Sequence, residues 1–247
     1  MITFKKTILL STLCLFYMAS VAQEMKPEET EVWNPEPKII TGVVDGTPPS
    51  DAIILLGKDG LDAWENSTGG KAGWTFENGV VTVKPKTGTI QTKQGFGDIQ
   101  LHIEWRTPEA ILSKKGQARG NSGVFLQGIY EVQVLDSWEN RTYSNGQAGS
   151  IYKQYMPLVN ASRPPQQWQT YDIIYDAPEF AKDGSLVKPA YITVIHNGVL
   201  IQNHTQLKGH TPYIGLPEYK AHADKLPLVL QDHGDLISFR NIWVREL

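Results

Sequence analysis

The sequence predicts an all-β protein in which two antiparallel sheets form a sandwich or jelly roll. The 247 residues include 22 glycines and 15 prolines, and aromatic residues make up 10%. Short runs of β-branched and aromatic residues alternate with turn residues along the chain, and no segment has sustained helical periodicity. Evenly spaced short strands without helical insertions are typical of antiparallel sandwiches.

Two hairpins are predicted from the dipeptides Asn78-Gly79 and Asn197-Gly198. Each lies between two short β-type runs, and a type I′ turn favours Asn-Gly because both central residues need positive φ. Further strands are predicted at residues 98–106, 122–127, 130–136, 168–175, 226–231 and 237–245.

The strand at 98–106 alternates completely between apolar and polar residues. Leu101, Ile103 and Trp105 have one parity and are predicted core residues, since successive side chains of a strand point to opposite faces. The other face carries varied hydrogen-bonding side chains, which is compatible with a plain solvated surface or with a functional one. Its candidate site residues are His102, Glu104 and Arg106.

The segment 130–136 follows the same logic. Val132 and Val134 are predicted to point into the core, while Glu131 and Gln133 point away from it. A bulge near Leu135 would bring Asp136 to the polar side.

Other candidate residues lie at the ends of strands. They are Asn121 in the turn before residues 122–127, Gln127 at the end of that strand, and Gln231 and His233 at the end of residues 226–231. Because each occupies the polar parity of its strand, we expect Glu104, Arg106, Glu131 and His233 to converge on one concave sheet face.

Residues 1–22 are predicted to be a secretory signal peptide. Lys5 and Lys6 precede an apolar run at residues 8–21, and small residues precede a cleavage point before Gln23. The run is too short for a membrane-spanning helix, and Cys14 stands too early in it for a lipoprotein signal. Residues 23–50 are rich in Pro and Glu and are predicted to be a leader, and residues 51–247 to be a single domain. A mature chain without Cys fits the bacterial periplasm.

Composition and missing motifs exclude several function classes. The net charge of −3 offers no basic surface for nucleic acid. The chain contains no phosphate-binding loop, no dinucleotide fingerprint, no Gly-x-Ser-x-Gly elbow and no His-Glu-x-x-His zinc motif. What remains is a set of carboxylate, amide, Arg and His side chains on sheet faces, which suits polyhydroxylated ligands such as sugars.

The ordered set of motifs resembles the 3-keto-disaccharide hydrolase domain family. The matching segments are residues 57–64, 73–79, 96–106, 120–128, 130–136, 168–172, 196–198, 230–234 and 239–242. The resemblance covers roughly residues 51–247. It implies a concanavalin A-like jelly roll, bacterial export, and cleavage of glycosides that are oxidised at C3.

Such a reaction implies three roles. A base removes the acidified C2 proton, a second group stabilises the enolate, and an acid protonates the departing oxygen. Glu131 or Glu104 is the expected base and His233 the acid or its partner. Arg106 or a divalent cation would hold the enolate oxygen. His102, Glu104, Glu131 and His233 could ligate such a cation, although no close spacing identifies a metal site.

Two alternatives stay open at this point. The same sandwich serves carbohydrate-binding modules without catalysis. Residues 131–136 also resemble the Glu-x-Asp-x-x-Glu strand of laminarinase-type retaining glucanases. Gln133 and Asp136 depart from that pattern, and the shorter Asp136 alters the carboxylate separation on which retaining chemistry depends.

Overall fold

The computed structural model describes residues 25–109 and 113–247. These residues belong to two compact units, which divide after Ile39. The described part of the first unit contains the 3₁₀ turn Pro27–Thr30. The predicted signal peptide lies outside the described residues, and the predicted leader 23–50 includes residues of both units. Within the described ranges no helix is long and apolar enough to cross a membrane.

The second unit carries all the described strands, which form two large antiparallel sheets. The first sheet has eight strands in the order β13-β12-β9-β6-β15-β4-β3, and β1 also pairs with β15. These strands are β1 (Ile53–Leu56), β3 (Thr75–Glu77), β4 (Val80–Thr82), β6 (Ile99–Arg106), β9 (Gln169–Asp176), β12 (Tyr191–His196), β13 (Val199–Gln206) and β15 (Ser238–Glu246).

The second sheet has five strands in the order β2-β5-β14-β7-β8. They are β2 (Trp64–Asn66), β5 (Ile90–Phe96), β7 (Ser122–Leu126), β8 (Tyr130–Val134) and β14 (Leu226–Leu230). A separate small hairpin joins β10 (Glu179–Phe180) to β11 (Leu186–Lys188). The described residues contain 3₁₀ turns but no α-helix, so the predicted all-β sandwich is confirmed.

The two sheets face each other across one apolar core. Leu101, Ile103 and Trp105 of β6 are at most 1% exposed, and Val132 and Val134 of β8 are fully buried. These five side chains belong to one cluster, as their period-2 alternation predicts. A hydrogen bond also joins the sheets, since the Tyr171 hydroxyl of β9 donates to the Gln133 carbonyl oxygen at 2.8 Å.

Sequence patterns located most of the long strands closely, but they missed several short strands and the seven-residue β5. Both Asn-Gly hairpins are present, with φ of 51° and 78° at Asn78 and Gly79 and 52° and 80° at Asn197 and Gly198. β1, β2 and β5 were not predicted. The first two have only four and three residues, and β5 has no apolar side chain between Ile90 and Phe96.

The second hairpin provides a test of the turn. Gly198 has a φ of 80°, and an added Cβ would meet nothing within 4 Å, so Gly198→Ala adds backbone strain without a clash. We expect the free energy of unfolding in urea to fall by about 1–2 kcal/mol. Gly42→Ala is the matched control, because Gly42 also has open space but no positive φ. Equal effects of the two substitutions would contradict the assigned turn.

Candidate functional site

Strand β8 places Glu131 and Gln133 on the outer face of the five-stranded sheet, opposite to the core. Both side chains are nevertheless buried, with Glu131 5% and Gln133 1% exposed. Connecting segments therefore cover this part of the sheet and enclose the two polar side chains.

Beside them lies a half-open cavity of about 600 Å³. Its lining combines the outer faces of β7 and β8 with side chains from four connecting segments, one of which follows β14. The lining residues are Gln117, Asn121, Phe125, Glu131, Gln133, Tyr143, Tyr152, Thr211, Tyr213, Gln231 and His233. The volume falls in the range of small-molecule sites.

One connecting segment extends the sheet beside β8. Val132 and Ile151 form an antiparallel bridge, and the Tyr152 N–H donates to the Glu131 carbonyl oxygen at 3.1 Å. The Gly149 N–H donates to the Gln133 carbonyl at 2.9 Å. This pairing fixes the backbone of Tyr152 directly against that of Glu131.

Gly123 of β7 makes room for the Glu131 side chain. A Cβ added at Gly123 would overlap with Glu131 Oε1 and would lie 2.7 Å from Phe125 Cε2. Any larger residue at this position would displace the carboxylate. Gly123, two residues after Asn121, therefore has a steric role in the site.

The Glu131 carboxyl group is buried, and no hydrogen bond or ion pair from a described residue replaces the water that it loses. Desolvation by burial raises its pKa from the ordinary value of 4.5 to about 8. No described residue donates a hydrogen bond to its side chain or forms an ion pair with it. A carboxyl group with such a pKa exchanges protons in the range where general acid–base catalysis is effective.

A network of amides fixes the orientation of Gln133. Gln117 Nε2 donates to the Gly146 carbonyl oxygen at 2.6 Å, which leaves Gln117 Oε1 as an acceptor. Gln133 Nε2 donates to Gln117 Oε1 at 3.3 Å and to Asn121 Oδ1 at 3.0 Å. Gln133 Oε1 is buried and has no partner among the described residues. The network thus leaves one buried amide oxygen of a lining residue unpaired.

Two tyrosines form part of the wall beside Glu131. The hydroxyl oxygens of Tyr143 and Tyr152 are 2.6 Å apart, and Lys153 Nζ lies 4.7 Å from the centre of the Tyr143 ring. Burial raises the pKa of both hydroxyls, and the Glu131 charge raises them further. Both tyrosines are therefore neutral hydrogen-bond donors near neutral pH.

Gln231 and His233 also line the cavity, as the parity of their strand predicts. The Gln231 N–H donates to the Gly123 carbonyl oxygen at 3.1 Å, which ties the end of β14 to β7. His233 is exposed, so it lies where the cavity opens to solvent.

The expectation that Glu104 and Arg106 share a face with Glu131 is wrong. Each strand has the predicted parity, but β6 and β8 belong to different sheets, and each sheet turns its polar face away from the shared core. His102, Glu104 and Arg106 therefore lie on the outer face of the eight-stranded sheet, outside the cavity lining.

The group around Glu104 is an ion-pair network. Arg240 Nε donates to Glu104 Oε2 at 2.6 Å, and Asn241 Nδ2 donates to Glu104 Oε1 at 2.9 Å. His102 Nδ1 lies 2.6 Å from Asp172 Oδ1. Although burial opposes the shift, the His102 ring at 3.7 Å and the hydrogen bonds from Asn241 and Arg240 lower the pKa of Glu104 to about 2. A carboxylate held in this way is a poor base.

Gln127 and Asp136 also lie outside the cavity. The Gln127 side chain accepts from the Tyr175 hydroxyl at 2.8 Å and donates to the Asp224 carbonyl oxygen at 2.7 Å. Asp136 follows the end of β8, and its Oδ2 lies 2.8 Å from Arg119 Nε. The polar groups of both side chains are thus bonded to other parts of the protein. Their predicted role in binding the sugar is not supported by these positions.

The hypothesised metal set is divided between the two sheets, with His102 and Glu104 on one and Glu131 and His233 at the other. Among the described residues no group of three or more His, Cys, Asp or Glu side chains could hold a metal ion. The part of the chain that the structure describes therefore provides no divalent-cation site of that composition.

Sequence reasoning missed the cavity residues of the connecting segments, namely Gln117, Tyr143, Tyr152, Thr211 and Tyr213. Segments without strand periodicity give no parity from which to assign a face. One signal was available, because more than thirty residues separate β8 from β9. Connections of that length in a compact domain are commonly functional.

A second groove, of about 710 Å³, lies elsewhere on the domain. Its wall includes Trp64 and Trp74, whose indole N–H groups donate to backbone carbonyls. Six charged side chains also line it: Lys58, Asp59, Asp62, Glu65, Lys71 and Lys93. None of these acids has the uncompensated burial of Glu131, which is why we place the candidate site in the first cavity.

Comparisons with known proteins agree with this domain structure. Residues 51–245 match the model of the 3-keto-alpha-glucoside-1,2-lyase-like domain. A comparison with curated proteins found no match.

Solved structures include a similar protein from Parabacteroides distasonis ATCC 8503, provisionally named a glycosyl hydrolase. It is 52% identical, the match covers 90% of this chain and 97% of that one, and the TM-score is 0.85. A second structure from this organism, with the same provisional name, is 23% identical over 79% of this chain and 99% of that one, with a TM-score of 0.55. The second likeness shows the fold alone.

The burial of Glu131 predicts a pH-dependent gain in stability for Glu131→Gln. Between pH 4.5 and 8 the folded state keeps a proton that the unfolded state loses, so this group makes the wild type less stable as pH rises through that window. The neutral amide removes the effect. We expect the variant's advantage in unfolding free energy to grow from pH 4.5 to 8, with an upper limit of about 5 kcal/mol.

Urea unfolding at several pH values measures this gain. The same substitution at the exposed Glu77 is the control and should leave the pH profile unchanged. A Glu131→Gln advantage that does not depend on pH would show that the carboxyl group is not desolvated in the folded protein.

Proposed function

Because this chain belongs to the 3-keto-alpha-glucoside-1,2-lyase-like domain family, we propose that it is an enzyme that cleaves the glycosidic bond of 3-keto-glycosides, with Glu131 as the base that removes the C2 proton. The observation that carries the proposal is the buried Glu131 carboxyl group, which has no hydrogen bond or ion pair with a described residue and lies in the wall of the cavity. The provisional glycosyl hydrolase name of the 52% identical relative supports a glycoside substrate.

The chemistry explains why such a carboxyl group is useful. A ketone at C3 acidifies the proton on C2, and its removal gives an enolate that expels the C1 substituent. A carboxylate that is poorly solvated and has a pKa of about 8 is a stronger base than an ordinary glutamate. Addition of water to the unsaturated product would complete a net hydrolysis.

The lining also offers groups for binding a sugar. Gln133 and Asn121 place side-chain amides in the wall, and a hydrogen bond from Gln133 Nε2 to Asn121 Oδ1 at 3.0 Å holds them together. Gln231 and His233 complete the polar part of the wall. Phe125 and the three tyrosines of the lining provide apolar contact area of the kind that sugar rings and aryl groups use.

A conventional retaining glycosidase fits the site less well. Such enzymes need two carboxyl groups about 5–5.5 Å apart. Glu131 is the sole carboxylate among the described residues that line the cavity, and Asp136 is paired with Arg119 outside it.

A binding module without catalysis also explains less. Burying an ionisable group without a partner lowers stability, and binding alone gives no reason to keep it. Acid–base chemistry does, because it requires a group whose pKa lies near the working pH.

We also propose that the protein acts after export, in the bacterial periplasm or outside the cell. The basic and apolar pattern of residues 1–22 supports a signal peptide, and residues 23–247 contain no Cys. N-terminal sequencing of the protein from a periplasmic extract tests this proposal, with Gln23 as the expected first residue.

The first functional prediction concerns substrate and base together. Wild-type protein should release the aglycone from a 3-keto-glucoside and show negligible turnover of the unoxidised glucoside, measured by product release. Glu131→Gln should reduce turnover of the 3-keto-glucoside by about 10²-fold or more, because the amide cannot accept the C2 proton.

Glu104→Gln is the matched control for that substitution. It makes the same chemical change on the outer face of the other sheet, so kcat/KM should stay close to the wild-type value. Equal turnover of oxidised and parent glucosides would favour the conventional glycosidase, and sugar binding without turnover of either would favour the binding module.

The second functional prediction concerns pH. The basic form of Glu131 is populated as pH rises through about 8, so kcat/KM for the 3-keto-glucoside should rise with an apparent pKa near that value. Initial rates between pH 5 and 9 measure it. A profile that is flat above pH 6 would exclude Glu131 as the base.

A further inference from the structure

Elimination needs a proton for the departing oxygen as well as a base for C2. Two kinds of group in the cavity lining could supply it, the His233 imidazole and a tyrosine hydroxyl. His233 is exposed at the opening, whereas Tyr143 and Tyr152 are half-buried beside Glu131.

The backbone pairing beside β8 places Tyr152 next to the base. Val132 and Ile151 form an antiparallel bridge, so Glu131 and Tyr152 oppose each other one residue further along, where the Tyr152 N–H donates to the Glu131 carbonyl oxygen. Opposed residues of an antiparallel pair point to the same face with their Cβ atoms about 4.5–5.5 Å apart. The tyrosine and the carboxyl group therefore face the same space.

The hydroxyls of Tyr143 and Tyr152 carry two protons, and the hydrogen bond between them uses only one. Their oxygens are 2.6 Å apart, and one O–H fills that hydrogen bond. No other described group accepts from either hydroxyl, so the second proton is free to point into the cavity. Gly146 permits this arrangement, because a Cβ there would overlap the Tyr143 ring.

Lys153 supplies a positive charge to the same pair. Its Nζ lies 4.7 Å from the centre of the Tyr143 ring and 5.9 Å from that of Tyr213. A cation over a ring face attracts the electron density of that ring, and it attracts the anionic form of a phenol more strongly than the neutral form. The groups that face the pair are thus Glu131, Lys153 and Tyr213.

Resting on the proposed function, we infer that the hydroxyl pair of Tyr143 and Tyr152 is the acid that protonates the leaving glycosidic oxygen. Glu131 takes the C2 proton, and the C–H electron pair forms the enolate. The ketone then re-forms as the C1–C2 double bond forms and the C1–O bond breaks. The oxygen that departs takes its proton from the free tyrosine hydroxyl.

Glu131 and the tyrosine pair together account for every proton that moves in this step. After elimination Glu131 holds the C2 proton and the tyrosine pair carries a negative charge. Because the carboxylic acid has a lower pKa than either hydroxyl, the proton passes from Glu131 to the phenolate. Both groups return to their starting states, and the proton removed from C2 has in effect moved to the aglycone. No other reactant is required for this step.

The test compares two 3-keto-glucosides that differ in the need for an acid. A 4-nitrophenolate leaves without protonation, whereas a methoxide does not. Tyr143→Phe and Tyr152→Phe should retain turnover of the 4-nitrophenyl substrate within about fivefold. At least one of them should lose about 10²-fold or more with the methyl substrate. Tyr191→Phe, outside the cavity, is the matched control and should change neither rate.

His233→Asn tests the rival acid on the same two substrates. A loss selective for the methyl glycoside in His233→Asn and absent from both tyrosine variants would overturn the inference. Equal losses with both substrates in the tyrosine variants would also overturn it, since a group that does not touch the leaving oxygen has no leaving-group dependence. Failure of the wild type to cleave either substrate would reject the proposed function itself.

The pH profile of the wild type gives a second measurement that needs no variant. With the methyl substrate, a tyrosine acid keeps its proton above pH 8, so the rate should reach a plateau between pH 8.5 and 9.5. An imidazole acid loses its proton near neutral pH and would give a falling rate in that range. A fall there would contradict the assignment to the tyrosine pair.

Discussion

The burial of one unpartnered carboxyl group is the constraint on which the arrangement of the site depends. Glu131 projects from the outer face of its sheet, where a glutamate would ordinarily be solvated, yet it is 5% exposed. Gly123 leaves space for the side chain, and the segment after β8 pairs with that strand and closes over it. Each of these features lowers the solvation of the carboxylate, which raises its pKa to about 8 and strengthens it as a base.

Glu104 shows that residue type and strand position do not determine this behaviour. It also lies at an outward position of a long strand, but hydrogen bonds from Arg240 and Asn241 and the nearby His102 ring hold its pKa near 2. Its partner His102 has a pKa raised to about 9 by Asp172 and Glu104, even though burial acts in the opposite direction. Two glutamates of one sandwich thus have very different proton affinities, and the difference comes from the donors around each carboxylate.

The sequence was a good guide to local structure and a poor guide to assembly. Period-2 alternation assigned the inward side chains of β6 and β8, because that property depends on a single strand. The grouping of Glu104 with Glu131 failed because parity does not say which sheet a strand joins. Tyr143 and Tyr152 were not found because they lie in a segment whose course is set by tertiary pairing with an edge strand, for which the sequence has no periodic signal.

The five-stranded sheet supplies the proposed base, and the connecting segment after β8 supplies the proposed acid. β8 and its neighbour β7 give the proposed base and its space, and their backbones are held by ladder hydrogen bonds. The segment after β8 gives the tyrosine pair, and Lys153 is fixed within it by a hydrogen bond from its N–H to the Asn145 carbonyl oxygen at 2.8 Å. Because Tyr152 bonds directly to the backbone of Glu131, displacement of the segment would separate acid from base and also expose the carboxylate to water. The position of one segment therefore controls both the proton affinity of Glu131 and the supply of a proton to the leaving group.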